Sequence, residues 1–326
     1  MKERISRRRF LQQSAAIAST VPLAAGIQAA EIGKWVLPKR TLGRTGLKVT
    51  RLVFGGGSFF QKLPDGQWEP LLQRAVDVGI NYFDNFSGYN FDKTQSHSEF
   101  RFGQILPKYR KNIYVCTKLD ERDVEKAKKE LEGCLERLKM DRLDVLMAHG
   151  LRENETDVSV LEKGIFSFLR KMQEEKVTRF IGFSSMIGDG ILTRKWIEAF
   201  DPDVALIAIS ATRYGNVAEP TVAAAKARHT GYLAMKLLRD VVGKNATAKE
   251  LLQYGLAIPD VAALCVSHSS IQELEENIQT VCEYGKKADA VDPKALEKRL
   301  AHLATPEVLS WARPGYTDSG NPPSVA

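Results

Sequence analysis

Residues 112–150 read NIYVCTKLDERDVEKAKKELEGCLERLKMDRLDVLMAHG. Two short apolar runs, NIYVCTK and LDVLMAHG, bracket a stretch in which Val124, Ala127, Leu131, Leu135 and Leu138 recur at helical spacing. The runs are almost continuously apolar rather than alternating, the pattern of strands buried on both faces. The segment therefore reads as strand, helix, strand.

The same alternation extends in both directions. Upstream lie Leu52-Val53-Phe54 and INYFDN; downstream lie RFIGFSS, VALIAIS, GYLAMKL and AALCVSH, making eight strand-like runs. Helical patterns stand between them: EPLLQRAVDVG, VLEKGIFSFLRKMQEE, ILTRKWIEAF, PTVAAAKARH, TAKELLQYGLA and SIQELEENIQTV. Eight β/α units with no long linker predict an α/β fold of the (β/α)8 TIM-barrel type. A doubly wound sheet is the alternative, but no Gly-x-Gly-x-x-Gly turn follows the first strand. TLGRTGLKVTRLVFGGG predicts a short β-hairpin before that strand, and the Pro/Gly-rich WARPGYTDSGNPPSVA predicts a loosely ordered tail. The expected organisation is a signal segment over 1–30, the barrel over 31–300 and the tail over 301–326.

The 326 residues, 44% hydrophobic and 27% charged, have the composition of a globular protein. The net charge of +7 is unevenly placed: Lys2, Arg4, Arg7, Arg8 and Arg9 face Glu3 alone in residues 1–30. The remainder holds 42 basic and 39 acidic residues, with no basic patch interleaved with aromatics, so nucleic acid is excluded as a partner. Ser6-Arg7-Arg8-Arg9-Phe10-Leu11-Gln12 resembles the twin-arginine export motif, departing in its final Gln. The weakly apolar stretch Ser14–Ala25 is too short and polar for a stable membrane span. Cleavage after Ile27-Gln28-Ala29 would fit. The motif implies passage through the twin-arginine translocase, already folded, to the periplasm or cell exterior. The usual reason for that route is a cofactor inserted in the cytoplasm. Cys116, Cys134, Cys265 and Cys282 match no metal spacing, and buried thiols are expected.

In a barrel of this type, chemistry gathers at the C-terminal strand ends. The first strand ends in Gly55-Gly56-Gly57-Ser58, the second in Asp84, the third in Lys118 and the fourth in His149. The fifth ends in Ser184-Ser185, the seventh in Met235-Lys236 and the eighth in Ser267-His268. Singly, Asp84 reads as a helix cap, Lys118 as a solvent-seeking chain and His149 as a satisfied rim residue. Asp84, Lys118 and His149 close consecutive strands, with Tyr89 in the adjoining loop, and together they favour one shared site.

These residues carry a resemblance to the aldo-keto reductases across nearly all of 40–285. Asp84-Asn85-Phe86-Ser87-Gly88-Tyr89-Asn90 is similar to that family's Asp-Thr-Ala-x-x-Tyr-Gly. Lys118 in YVCTK and His149 in DVLMAH match its lysine and histidine, Gly182-Phe183-Ser184-Ser185 resembles its Gly-x-Ser-Asn, and Glu276-Asn277 its late Glu-Asn pair. The resemblance implies an exported oxidoreductase that moves hydride between NAD(P)H and a small carbonyl or alcohol substrate. It casts Tyr89 as general acid/base, Lys118 and Asp84 as its tuners and His149 as the group orienting the carbonyl. A free phenol titrates near ~10; an ammonium beside it favours the phenolate and lowers that value. Cofactor contacts are expected from Gly56, Gly57, Ser58, Ser184, Ser185, Met235, Lys236, Ser269, Ser270, Glu273, Glu276 and Asn277. No metal is expected, since no His/Asp/Glu grouping has metal-ligand spacing.

The departures bear on the cofactor and the mouth. Leu206 stands for the family's usual Gln, Met235 for a Tyr that stacks on the nicotinamide, and Ser267 and Glu273 for a basic pair that grips a 2′-phosphate. A carboxylate at Glu273 favours the unphosphorylated cofactor, unless Lys236 or His268 supplies the missing positive charge. Glu99 follows Tyr89 by ten residues, where the family has a Glu about four residues on, so the intervening loop is longer and the next helix starts near Ser96–Glu99. His97 reads as a loop residue. The rival reading is a reductase-like barrel that keeps the cofactor as a structural or regulatory ligand. A barrel hydrolase with paired carboxylates fits less well, because no second strand-end acid faces Asp84.

Overall fold

The computed structural model describes residues 35–57, 59–89, 98–286, 291–316 and 318. The signal segment, Ser58, His97 and the loop over 90–97 lie outside the described residues.

Strands β1 (Lys39–Thr41) and β2 (Lys48–Thr50) pair antiparallel, the expected hairpin. The chain then lays down β3 (Leu52–Gly55), α1 (Trp68–Asp77), β4 (Tyr82–Asp84), α2 (Ser98–Ile105), β5 (Tyr114–Leu119), α3 (Val124–Leu138) and β6 (Leu143–Leu151). A helical segment follows, α4 (Val158–Leu161) leading through a π turn (Glu162–Phe166) into α5 (Ser167–Glu174). Next come β7 (Thr178–Ser185), α6 (Gly190–Phe200), β8 (Val204–Ala208), α7 (Ala218–Ala227), β9 (Gly231–Met235), α8 (Ala248–Ala257), β10 (Val261–Val266), α9 (Ile271–Glu283) and α10 (Pro293–Leu300).

Strands β3 to β10 close into a parallel barrel in chain order, β10 pairing with β3. All eight apolar runs are strands. Their continuous hydrophobicity has a physical use: Val53, Phe83, Val115, Val145, Phe183, Leu206, Leu233 and Leu264 are all buried, between the barrel interior and the helical ring. Helix starts are locally encoded. Asp123 accepts from the Lys126 amide at 3.0 Å, Asp189 from Leu192 at 2.8 Å, and Thr247 with Glu250 forms a capping box. Helix α2 begins at Ser98, inside the Ser96–Glu99 pattern that marked its start.

One expectation needs correction. The helix over 160–175 is not continuous: Gly164 leaves helical geometry at φ −89° and ψ −112°, in the π turn. A Cβ there would stand 3.1 Å from the Arg122 carbonyl, so glycine lets the turn approach the loop after β5. The described part of the tail segment is tied to the barrel. Leu303, Leu309 and Trp311 are buried, and the Ser310 amide and hydroxyl both donate to Asp240 Oδ2 at 2.7 Å. Between the Pro and Gly residues these apolar anchors hold the segment down by their burial. Among the described residues, no helix is long and apolar enough to cross a membrane. All four cysteines are free thiols, three buried and Cys265 half-buried.

Candidate active site

The strand register brings the chemistry to one end. Asp84 pairs laterally with Gly55 on one side and Cys116 on the other, and Lys118 sits two residues further along β5. The Lys118 ammonium lies 2.7 Å from Asp84 Oδ2 and donates to the Asn85 carbonyl at 2.5 Å. Both side chains are almost wholly buried. Burial pulls the ammonium pKa down, but Asp84 and the nearby thiols more than offset this, and the net shift is upward. The lysine stays charged. Asp84 Oδ1 is buried without a hydrogen-bond partner, so the carboxylate is committed to Lys118 through one oxygen.

The turn after β4 is tied down amide by amide. Gly56 donates to the Asp84 carbonyl at 2.8 Å, Asn85 to Cys116 at 3.0 Å, and Ser87 to Lys118 at 3.2 Å. Tyr89 donates through its amide to Phe86 and accepts at its carbonyl from Ser98, both at 3.1 Å. Its ring is thereby folded back over the strand ends, with Lys118 Nζ 5.9 Å from the ring centroid. A Cβ on Gly57 would come within 2.5 Å of the Tyr89 ring, and one on Gly88 within 2.6 Å of Phe86. These two glycines are small because aromatic rings lie against them.

The expected lowering of the Tyr89 pKa is not found. Burial first, then the charges of Asp318 and Asp84, push the phenol well above its ordinary value. Lys118 lies beneath the ring and its ammonium is engaged by Asp84 and Asn85, while a carboxylate absent from the sequence argument, Asp318, acts in the opposite sense.

His149 owes its placement to an irregularity. Pairing between β6 and β7 shifts register between Ala148 and Leu151, and Gly150 takes φ +49°, a left-handed conformation that favours glycine. The Gly150 amide is held by Ser184 Oγ at 2.9 Å. His149 stacks on Phe86 at 3.5 Å between centroids, and Phe86 meets Tyr89 edge-on at 5.2 Å. The Nδ1 atom faces Asp120 Oδ1 at 3.4 Å, and Asp120 also pairs with Arg152 at 3.0 Å. The Nε2 atom faces Asp318 Oδ2 at 3.7 Å.

Asp318 enters from the tail. Its Oδ1 lies 2.6 Å from Lys236 Nζ and accepts from the Tyr316 hydroxyl at 2.9 Å. Neither Asp318, Phe86 nor Asp120 was singled out from the sequence. Phe86 carried a usable signal as an aromatic inside the Asp84–Tyr89 turn; Asp318, in a Pro/Gly-rich tail far along the chain, carried none.

The expected cofactor contacts divide into groups. Gly57, Met235 and Lys236 line one cavity of about 80 Å3 with Asp84, Tyr89 and Ser267. A second, of about 540 Å3, is lined by Phe86, Asp120, His149, Arg152 and the tail residues Trp311 and Tyr316. Gly56 is pressed against Asn85, 3.0 Å from where its Cβ would be. Ser184 and Ser185 are buried and spend their hydroxyls inside the barrel, on the Gly150 amide and the Leu151 carbonyl (3.2 Å). Ser270 caps α9, and Glu273 turns back to accept from the Ser269 amide at 2.8 Å, leaving an exposed carboxylate at that helix start. Glu276 accepts from Gln272 on the helix surface, and Asn277 is buried.

Neither candidate for a compensating positive charge is free to act as one. Lys236 is paired with Asp318. His268 is fully buried, stacked 5.7 Å from Phe54, with neither ring nitrogen hydrogen-bonded. Burial lowers its pKa to about 3, so it is neutral at physiological pH. Ser267 clamps the loop after β3 to β10, donating to the Gly57 carbonyl and accepting from the Phe60 amide at 3.1 Å. Glu99 is buried beside the site, accepting from Arg137 at 2.8 Å and from the Thr117 hydroxyl.

Residues 51–191 match the sequence profile of the Aldo/keto reductase family, a span that contains Asp84, Tyr89, Lys118 and His149. The chain is 28% identical over 315 residues to L-galactose dehydrogenase of Arabidopsis thaliana, across 83% of this chain and 96% of that protein. It is 27% identical over 265 residues to D-threo-aldose 1-dehydrogenase of a Pseudomonas species, across 68% of this chain and 79% of that protein. Among solved structures, a putative aldo-keto reductase from Pseudomonas aeruginosa superposes with a TM-score of 0.65 at 22% identity, across 78% of this chain and 99% of that one. That likeness establishes a common fold.

Proposed function

We propose, from the aldo/keto reductase domain over residues 51–191, that this chain is a nicotinamide-dependent oxidoreductase acting on a small carbonyl or alcohol. The observation that carries the reading is the buried Asp84–Lys118 ion pair beneath the Tyr89 ring, with His149 presented to the same mouth. The two sugar dehydrogenases among its relatives make aldoses the first substrates to screen.

The residues fit a dinucleotide in outline. Gly57 lets the Tyr89 ring lie against the loop, Met235 offers an apolar wall, Lys236 an ammonium that Asp318 now pairs, and the start of α9 at Ser269-Ser270 a capped turn beside Glu273. The bound nicotinamide would supply or accept the hydride. Tyr89 would pass its proton to the developing alkoxide, and its elevated pKa keeps it a donor in the reducing direction. His149 Nε2 would orient the substrate oxygen, accepting from a hydroxyl as neutral imidazole or donating to a carbonyl as imidazolium, with Phe86 holding its ring plane and Asp120 its Nδ1. Lys118, held by Asp84, would supply the fixed positive charge beneath Tyr89. Glu273 would favour the unphosphorylated cofactor, because a 2′-phosphate beside it meets like charge.

Export belongs to the same proposal. The twin-arginine-like Ser6–Gln12 motif supports delivery to the periplasm or beyond through the translocase, with the cofactor carried in. The test is to isolate the full-length chain from cell fractions and assay consumption of NADH and NADPH with a panel of aldoses, aldehydes and quinones. Turnover with any of them supports the reading. Cofactor bound without turnover favours the regulatory barrel, and a wholly cytoplasmic protein that Arg7→Lys/Arg8→Lys does not redistribute removes the export step.

A further inference from the structure

The tail brings into the barrel mouth a carboxylate that the proposed chemistry does not use. Asp318 is 4% exposed, and it stands between Lys236 Nζ (2.6 Å) and His149 Nε2 (3.7 Å), with the Tyr316 hydroxyl on Oδ1 (2.9 Å). The Tyr316 ring in turn lies between two cations, with Lys236 Nζ and Arg239 Cζ each 5.4 Å from its centroid. Trp311 and Leu309, both buried, anchor the segment upstream.

Charge and space point the same way. An ion taken out of water needs a compensating charge, so the largely buried Lys236 side chain requires an anion beside it. Asp318 is that anion. The cavity lined by Gly57, Tyr89, Met235 and Lys236 is about 80 Å3, far below the ~300–1,000 Å3 typical of ligand pockets, and Asp318 occupies the ammonium on its wall. An anion entering this cavity meets a Lys236 ammonium already held by Asp318. The occupant also affects the phenol, since Asp318 ranks next after burial among the causes that raise Tyr89.

We propose that Asp318 is a built-in anionic ligand of its own active site: it holds Lys236 and His149 until an oxyanion of an incoming molecule replaces it, and the tail leaves the mouth in that exchange. The seat itself rests on the geometry of these side chains. The identity of the natural oxyanion, the diphosphate of a dinucleotide, rests on the proposed function; a substrate carboxylate would present the same chemistry.

The test uses the full-length chain and three probes: inorganic diphosphate, acetate and NADH, each titrated calorimetrically into the wild type, Asp318→Asn and Tyr316→Phe. Asp318→Asn vacates the negative charge, and binding is expected to tighten about tenfold. Tyr316→Phe loosens the carboxylate by one hydrogen bond, and a gain of about threefold is expected. Tightening toward diphosphate identifies a phosphate seat, and tightening toward acetate a carboxylate seat; either supports the exchange. Amide hydrogen exchange across 311–316 is expected to rise when the probe binds the wild type. If NADH binds no form while diphosphate or acetate still tightens, the seat stands and the proposed function fails. Unchanged or weaker binding of all three probes to a folded Asp318→Asn overturns the proposal. Should that variant not fold, the same result with Tyr316→Phe overturns it.

Discussion

Lys118 Nζ lies 2.7 Å from Asp84 Oδ2, with 2% and 3% of the two side chains exposed, at the ends of adjacent barrel strands. A pair this deep is tolerated because each charge answers the other. Removing one partner leaves the other buried alone, at a cost of about 3–5 kcal/mol. Lys118→Met is expected to lower stability by about that amount in urea unfolding. A variant with an unchanged midpoint would show the pair to be solvated.

The same pair sets an alkaline limit. Burial lowers the Lys118 pKa, Asp84 raises it more, and the folded value ends above the unfolded ~10.4. Its contribution to stability is therefore complete below ~10.4 and drains away as pH rises through the folded value. Wild-type stability should fall on that alkaline limb, and Lys118→Met should show a shallower fall over the same range. Parallel profiles would count against the linkage.

Tyr89→Phe removes one hydroxyl from a ring that packs against Gly57 and Phe86. The ring contacts survive, so the melting temperature should change little. Turnover in the reducing direction should drop by roughly 10²–10⁴, the usual range for a lost general acid. Activity near the wild-type level would remove Tyr89 from the chemistry.

Gly57→Ala tests position rather than chemistry. The new methyl would sit 2.5 Å from the Tyr89 ring, so the ring must move. A displacement approaching 1 Å in a reacting group costs on the order of 10²-fold, and kcat should suffer more than KM. Wild-type kcat in Gly57→Ala would mean that Tyr89 has free room to shift.

Asp120 engages His149 at Nδ1 and Arg152 on its other side. Partial burial works to raise its carboxyl, but the His149 hydrogen bond and the surrounding positive charges hold it down, to about 2. A depressed carboxyl stabilises the fold above its unfolded value of ~3.9, and the effect is lost as pH falls through about 2. Asp120→Asn should flatten that acid limb and reduce kcat/KM about tenfold through a less firmly oriented imidazole. A flattened acid limb with unchanged kcat/KM would make Asp120 purely structural.

Much of this site was legible in the residues alone because a parallel barrel is built from local repeats. Continuous apolar runs of strand length specify strands buried on both faces, and their closure forces every C-terminal end to one side. Strand-end position therefore places Asp84, Lys118 and His149 on one side, and Asp84 and Lys118 touch. His149 reaches the same mouth by a less direct route, at a register shift beside Gly150. Ser184 and Ser185 show what strand-end position leaves open: both stand near the mouth, and only the fold shows Ser184 accepting from the Gly150 amide and Ser185 donating to the Leu151 carbonyl.

The tail marks the boundary most clearly. Sequence determined the barrel, its order and the residues at its mouth, because burial pattern and period are properties of short segments. Which carboxylate faces His149 and Lys236 depended on a contact 82 residues along the chain from Lys236. Such a pairing is selected only after the barrel exists, when a buried ammonium makes the seat and apolar anchors bring the acid within reach. The tertiary structure alone decided that the phenol of Tyr89 is raised rather than lowered: burial raises it first, and the charge of Asp318, near it only in the folded chain, adds to that.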